Sequence, residues 1–140
     1  MEISIRFTHE PIVVPPAGLP SREIGARLEF QGIVREMEGG LALAGLRYEA
    51  HEPMAVLHLE RIFNQLGAVH PCAAVTFIHR LGWVPTGEAS LFIRALAAHR
   101  GPALKFIAEA IDRMKADVPI WKTDIGAIAM DEPRSESARV

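Results

Sequence analysis

Cysteine is nearly absent from this chain of 140 residues, which contains only Cys72. One thiol cannot form an intrachain disulfide, and it cannot build a thiolate-rich zinc site or an iron–sulfur cluster. So little cysteine is compatible with a reducing compartment. Cys72 could carry sulfur as a persulfide, but it follows His70 and Pro71 at the start of an apolar run, where a small buried side chain is the better interpretation.

An excess of positive charge is also missing. Lys and Arg together number 15 against 17 Asp and Glu, which gives a formal net charge of -2. A protein that follows a nucleic-acid backbone needs a basic surface, so we expect no nucleic-acid partner. Any basic cluster in this protein must therefore be local.

Long apolar runs are missing as well. None approaches the roughly 20 residues that a helix needs to cross a bilayer. Residues 1–6 lack the basic region followed by an apolar stretch that marks a secretory signal. We therefore expect a soluble, cytoplasmic protein without a membrane partner.

Several motifs of metal and nucleotide chemistry do not occur. The six histidines form no i, i+4 pair, which a zinc protease-like helix requires. The chain has no glycine-rich phosphate-binding loop of the nucleotide type and no Gly-x-Ser-x-Gly elbow. The sequence predicts no metal site and no cofactor.

The composition that is present is that of a globular domain. Hydrophobic residues make up 49% of the chain and charged residues 23%, and 140 residues suit one domain. We assign residues 1–130 to this domain and expect residues 131–140, which are polar, to form a frayed tail.

Hydrophobic periodicity predicts an α+β fold. Alternating patterns indicate strands near 3–7, 26–35 and 46–51, and apolar runs indicate strands near 75–79 and 89–96. Turn residues at 36–40 predict a hairpin between the second and third of these strands, and the two apolar runs predict another. Amphipathic patterns predict helices from Pro53 to Gly67 and from Pro102 to Val118. Helices that follow hairpins favour a largely antiparallel sheet with helices on one face.

Lys115 is the most informative residue of the second helix. With Leu104 at 0° and roughly 100° per residue, Ile107 falls near 300° and Lys115 near 20°, inside the predicted apolar stripe. Phe106 falls near 200°, on the polar side. Lys115 is either a snorkelling lysine or an amine in a partly desolvated pocket that serves as nucleophile, proton carrier or anion partner.

Other cations stand at the ends of predicted elements. Lys122 lies seven positions beyond Lys115, past the break at Pro119, so the chain can bring both ammonium groups to one site. Arg35 ends the second strand, and His99-Arg100 precedes the second helix, whose N-terminus adds partial positive charge. Their number predicts an anion-binding site.

Short motifs in order along the chain resemble the family of large, catalytic subunits of molybdopterin synthase. The match runs from about residue 3 to residue 124. The motifs are Gly32-Ile33-Val34-Arg35, residues 46–55, Ile78-His79-Arg80-Leu81-Gly82, Gly87-Glu88-Ala89, Ala98-His99-Arg100, and Lys115 through Pro119-Ile120-Trp121-Lys122.

This resemblance implies an α/β hammerhead-type fold with a small β-subdomain, and a homodimer. Each subunit would accept the C-terminal Gly-Gly tail of a small ubiquitin-like sulfur carrier, which gives a heterotetramer. The implied enzyme is a sulfurtransferase of molybdenum cofactor biosynthesis. It moves sulfur from the carrier's thiocarboxylate to cyclic pyranopterin monophosphate, a phosphorylated pterin, and forms the molybdopterin dithiolene.

The resemblance also implies the site residues. The two catalytic lysines fall on Lys115 and Lys122. The substrate-binding residues fall on Ile33, Val34, Arg35, His99, Arg100, Lys115, Lys122, Thr123 and Asp124. The segment from Glu36 to Gly40 and the pair Thr123-Asp124 depart from the family's usual residues at the rim of the pocket.

Two questions stay open at this point. Lys115 could handle protons as carbon–sulfur bonds form, or it could engage the carrier's acyl carbon, whereas Lys122 is better suited to an electrostatic clamp. The alternative function is a non-catalytic module that binds an anionic metabolite or a partner's C-terminal carboxylate in the same cationic pocket.

Overall fold

Two sheets and two helices make up the part of the chain that the computed structural model describes, residues 1–127 and 134–139. Side chains are described for residues 1–122 except 38 and 41. The strands are β1 (Glu2–Thr8), β2 (Ala26–Ile33), β3 (Met37–Glu38), β4 (Leu41–Ala50), β5 (Ala74–Arg80), β6 (Gly82–Pro85), β7 (Ala89–Ala97), β8 (Ile120–Ala127) and β9 (Arg134–Arg139). The helices are α1 (Glu52–Val69) and α2 (Arg100–Asp117).

The first sheet has the strand order β1-β5-β7-β2, and both helices pack on it. β1 and β5 are parallel, whereas β5 with β7 and β7 with β2 are antiparallel. The predicted pairing of the runs near 75–79 and 89–96 is therefore confirmed. The fold is α+β with two helices, as the sequence predicts.

Helix α1 follows its predicted pattern closely. Its buried side chains are Ala55, Leu59, Ile62, Phe63 and Leu66. The His51 Nδ1 atom accepts a hydrogen bond from the Met54 N–H at 3.3 Å and so caps the N-terminus. Pro53 lies in the first turn, where a missing N–H costs nothing.

Helix α2 buries a different face from the predicted stripe. Its buried residues are Ala103, Phe106, Ile107, Ala110 and Met114. Phe106 is fully buried and lies 5.8 Å from the Phe63 ring, although the sequence places it on the polar side. Leu104 is 53% exposed. The predicted stripe is centred on Leu104, so it lies about a quarter turn around the helix from the face that α2 actually buries.

The predicted hairpin between 26–35 and 46–51 is wrong, because these strands lie in different sheets. β2 pairs with β7, and β4 turns back on the two-residue strand β3. Gly39 and Gly40 both have positive φ, 59° and 79°, as a tight hairpin turn requires. Alternation identifies a strand and its buried face but does not specify its partner.

The second sheet contains β3-β4-β8-β9, with β6 paired to β4. β9 at Arg134–Arg139 pairs with β8, so these residues differ from the frayed tail expected for 131–140, whose other members lie outside the described residues. Backbone pairing at the open edge of β8 does not require an apolar pattern. Neither helix of the described chain has the length and apolar character needed to cross a membrane.

Candidate active site

A cavity of about 240 Å³ lies where the C-terminal end of α2 meets both sheets. Residues from β2, β4, β5, β7, α2 and β8 line it. They are Phe30, Gly32, Ile33, Val34, Arg35, Leu46, Tyr48, His79, Ser90, Leu91, Ile111, Met114, Lys115 and Lys122.

Lys115 and Lys122 reach this cavity because the chain reverses between them. Lys115 lies in the last turn of α2, and the helix ends where the Val118 N–H donates to the Met114 carbonyl at 3.1 Å. Val118 is extended and precedes Pro119, so the chain enters β8 and carries Lys122 back toward the helix. The two lysines line one cavity, as the sequence predicts.

Arg35 arrives from the end of β2. The neighbouring Val34 donates its N–H to the Glu88 carbonyl at 3.0 Å and accepts from the Gly87 N–H at 2.8 Å. These bonds fix the chain just beyond a register shift at Gly32/Ile33. Ile33, Val34 and Arg35 therefore line the cavity together with the lysines.

The cavity has a rim and a floor that differ in burial. We define the rim as Phe30, Ile33, Arg35 and Lys115, which are exposed, with Lys122, which is half-buried. We define the floor as the buried residues Val34, Leu46, Tyr48, His79, Leu91 and Met114. The cations thus lie at the mouth of the cavity, and apolar and aromatic groups line its base.

The prediction that Lys115 lies inside the apolar face of α2 is wrong. Lys115 is exposed, and its neighbour Met114, at 2% exposure, points into the core instead. The helix buries the face that contains Ala110 and Met114, which places Lys115 at the edge of that face. Its amine is therefore a solvated group at the rim.

His79 is a floor residue that sequence reasoning missed as a site residue. It is 2% exposed, and its Nδ1 atom lies 2.8 Å from the Arg80 carbonyl. Burial lowers the pKa of His79 from 6.5 to about 4, against the opposing effect of that backbone bond. His79 lies in one of the family motifs, but its sequence pattern suggests neither a metal ligand nor a place among the cations of the predicted site.

His99 and Arg100 do not lie at this cavity. They line a separate, open cavity of about 580 Å³ at the N-terminus of α2. Lys115 lies 15 residues farther along the same helix, roughly 22 Å away at 1.5 Å per residue. Within one chain the predicted cations therefore form two groups.

The remaining predicted residues add little to the described cavity. Thr123 and Asp124 belong to β8, and their side chains lie outside the described residues. Cys72 is half-buried and lines neither of these two cavities, and burial raises its pKa to about 11. A thiol with that pKa is a poor nucleophile near neutral pH.

Comparison with known proteins identifies the relatives of this chain. Residues 7–117 match the family model described as MoaE protein. A rice protein (Oryza sativa subsp. indica) named molybdopterin synthase catalytic subunit is 42% identical over 101 residues, which cover 72% of this chain and 52% of that protein. A human protein of the same name is 37% identical over 123 residues, which cover 86% of this chain and 65% of that protein. The chain thus spans about half the length of the rice relative.

Solved structures show the same fold. A molybdopterin synthase from Staphylococcus aureus is 28% identical with a TM-score of 0.78, and the match covers 93% of this chain and 94% of that one. A MoaE protein from Burkholderia ambifaria is 25% identical with a TM-score of 0.76, and the match covers 100% of this chain and 92% of that one. A chain from a complex of subunits 1 and 2 of the molybdopterin-converting factor from Helicobacter pylori is 24% identical with a TM-score of 0.65, and the match covers 81% of this chain and 73% of that one. This match supports the fold alone.

Proposed function

The chain belongs to the MoaE family, and from this premise we propose that it is the catalytic subunit of a molybdopterin synthase. It transfers sulfur from the thiocarboxylated C-terminus of a small carrier to cyclic pyranopterin monophosphate and so forms the molybdopterin dithiolene. The observation that carries this proposal is the presence of Lys115 and Lys122 in one cavity, together with Arg35.

The charges of the rim suit the two reactants. A cyclic phosphate and a thiocarboxylate are both anions, and they repel each other as they approach. Arg35, Lys115 and Lys122 supply positive charge where the two must meet, and such charge stabilises developing negative charge in a transition state. The apolar floor offers a surface on which a flat pterin ring can pack.

The two lysines have different settings and so different proposed roles. Lys115 stands exposed at the end of α2, where it can reach an incoming carrier tail, and it handles protons or engages the acyl carbon during sulfur transfer. Lys122 is half-buried on β8, a paired strand, and holds the anionic substrate in place.

The proposed partners are the carrier and a second copy of this chain. His99 and Arg100 lie too far from Lys115 along α2 to serve the same site within one chain. In a homodimer, His99 and Arg100 of a second copy can bind the substrate at the cavity of the first. The cytoplasmic location stays a prediction.

Reconstitution tests the proposed function directly. The purified chain is mixed with the pterin substrate and with a thiocarboxylated carrier that has either an intact or a truncated Gly-Gly tail. We expect product only with the intact tail. No product from the intact tail would overturn the proposal. Binding of the pterin without product formation would instead favour the non-catalytic binding module. Full activity of Lys115→Arg would show that residue 115 supplies charge alone, since arginine keeps the charge but does not release a proton near neutral pH.

Subunit mixing tests the shared site. Lys115→Ala and Arg100→Ala chains are each expected to be inactive alone. A mixed dimer contains one intact site if that site takes Lys115 from one chain and Arg100 from the other. We therefore expect activity to return on mixing. Two inactive variants that stay inactive in a verified mixed dimer would contradict a site built across two copies.

A further inference from the structure

We propose that His79 is a substrate-binding residue of this cavity, whose Nε2 atom accepts a hydrogen bond from an N–H or O–H donor of the bound pterin. This inference rests on the proposed function and names one contact that the substrate makes. The residue roles implied by the resemblance do not include it.

One contact determines which nitrogen of the His79 ring carries the hydrogen. A carbonyl oxygen can only accept, so the 2.8 Å contact between Nδ1 and the Arg80 carbonyl requires the hydrogen on Nδ1. In the neutral ring Nε2 then carries the free lone pair. β5 holds His79 between Phe7 of β1 and Leu91 of β7, so the ring is supported from both neighbouring strands.

The Nε2 atom of His79 faces the cavity. Among the described residues Nε2 has no hydrogen-bond partner, and the one buried side-chain nitrogen or oxygen that is sealed off without a partner is Arg80 Nε. Nε2 therefore opens onto accessible space. His79 lines the cavity of Lys115 and Lys122 and neither of the other cavities found in the described chain, so we infer that this cavity is the space that Nε2 faces.

The surroundings of the His79 ring favour its neutral form. The ring packs edge-on against Tyr48 at 5.1 Å and lies 6.3 Å from Phe77 and 6.5 Å from Phe7. Burial among these rings disfavours a charged imidazolium, against the opposing effect of the bond to the Arg80 carbonyl. Nε2 is thus an acceptor and a weak base, suited to positioning a substrate and not to removing its protons.

The rim and the floor of the cavity offer a ligand different hydrogen-bonding groups. Ammonium and guanidinium groups only donate hydrogen bonds, so the cations of the rim cannot satisfy a donor of the ligand. The Ser90 hydroxyl donates to the Gly32 carbonyl at 3.4 Å, and its oxygen can accept only at the cavity wall. His79 supplies an acceptor at the base. The cavity therefore suits a ligand with an anionic group at the rim and a hydrogen-bond donor at the floor, which a phosphorylated pterin has.

Nitrogen NMR tests this contact in the wild-type protein, and a variant serves only to identify the signals. The probe is cyclic pyranopterin monophosphate, added without the carrier to protein labelled with ¹⁵N-histidine, with the His79 signals identified from their loss in His79→Gln. We expect a protonated Nδ1 and a bare Nε2 in the free protein, and a shift of Nε2 toward its hydrogen-bonded value on binding. A protonated Nε2 in the free protein, or an Nε2 signal unmoved at saturation, would overturn the inference.

Kinetics of two variants supply the second readout. His79→Phe keeps a flat ring but removes the acceptor, whereas His79→Gln keeps an amide oxygen near the position of Nε2. We expect the KM for the pterin to rise about tenfold in His79→Phe with little change in kcat, and His79→Gln to stay within about threefold of wild type. His58→Gln, on α1 away from the cavity, is the matched control.

The outcomes separate this inference from the proposed function. If the wild-type protein forms no product, the proposed function fails whatever His79 does. If the wild-type protein forms product but both variants keep its KM, the function stands and the role of His79 fails. Equal losses in both variants, with the Nε2 signal unmoved, would show that His79 only supports the fold.

Discussion

The rim and the floor of the cavity present opposite kinds of polar group to a ligand. At the rim, Arg35, Lys115 and Lys122 are cations that only donate hydrogen bonds. On the floor, His79 is neutral and its free ring nitrogen only accepts. The difference shows how one small cavity can recognise charge near solvent and a hydrogen-bond donor at depth.

Burial decides what each region contributes to the protein. Lys115 is exposed, so the folded chain does not depend on its packing. His79 is 2% exposed and hydrogen-bonded to the backbone, so both the stability of the fold and the proposed binding of the ligand depend on it. Substitutions at the rim should therefore change activity alone, and substitutions at the floor should also change stability.

The largest expected effect is at the rim. Lys115→Ala should lower kcat/KM for dithiolene formation by about 10²–10⁴-fold, the usual range for loss of a proton-handling group. Its free energy of unfolding should stay within about 0.5 kcal/mol of wild type. Lys105→Ala, an exposed lysine on the same helix outside the cavity, is the control for both measurements. Full turnover by Lys115→Ala would contradict a catalytic role for the rim.

The next effect is a pH dependence of stability that comes from the floor. The pKa of His79 is about 4 in the folded protein and 6.5 as a reference value, so the unfolded chain binds the proton more tightly. The contribution of neutral His79 to the free energy of unfolding is therefore complete above pH 6.5. It is lost as the pH falls toward 4, and the loss amounts to up to about 3 kcal/mol. Urea unfolding of wild type and His79→Gln across this range measures it. A difference between the two that does not change with pH would contradict a buried neutral histidine.

A smaller effect is expected for His79→Phe at neutral pH. The substitution leaves the Arg80 carbonyl without its side-chain donor, which costs about 1–3 kcal/mol for a buried group. The free energy of unfolding, from urea titration at pH 7.5, should fall by that amount. If Lys115→Ala destabilised the protein as much as His79→Phe, the rim and the floor would contribute equally to stability, which would contradict the difference in their burial.

The smallest effect is expected for Cys72. It lies outside the described cavities, and burial raises its pKa to about 11. Cys72→Ala should keep sulfur transfer within about twofold of wild type, and the thiol of the folded protein should react slowly with iodoacetamide. A loss above about tenfold would revive the hypothesis that a protein thiol relays sulfur to the rim.

The sequence predicted best what depends on local pattern. The buried stripe of α1 matches residue by residue, because Ala55, Leu59, Ile62, Phe63 and Leu66 leave one apolar face. The break at Pro119 correctly predicts that Lys122 returns toward Lys115. Backbone constraints of this kind are properties of the local chain, and no tertiary partner needs to be known.

The errors arose where tertiary partners decide. β2 pairs with β7 and not with β4, because alternation does not specify a partner. α2 has apolar residues around much of its circumference, so packing against the sheet and α1 selected the face of Phe106 over that of Leu104. The role of His79 depends on what surrounds it in space, and its immediate sequence neighbours do not reveal this.

A double-mutant cycle on Lys115 and Lys122 tests the shared cavity most directly. The measured quantity is kcat/KM for dithiolene formation by wild type, Lys115→Ala, Lys122→Ala and the double variant, each with thiocarboxylated carrier. If both amines act on the same bound anions, the double variant should be little worse than the more damaged single variant. A loss in the double variant equal to the product of the two single losses would mean that the lysines act independently, and would contradict one shared site.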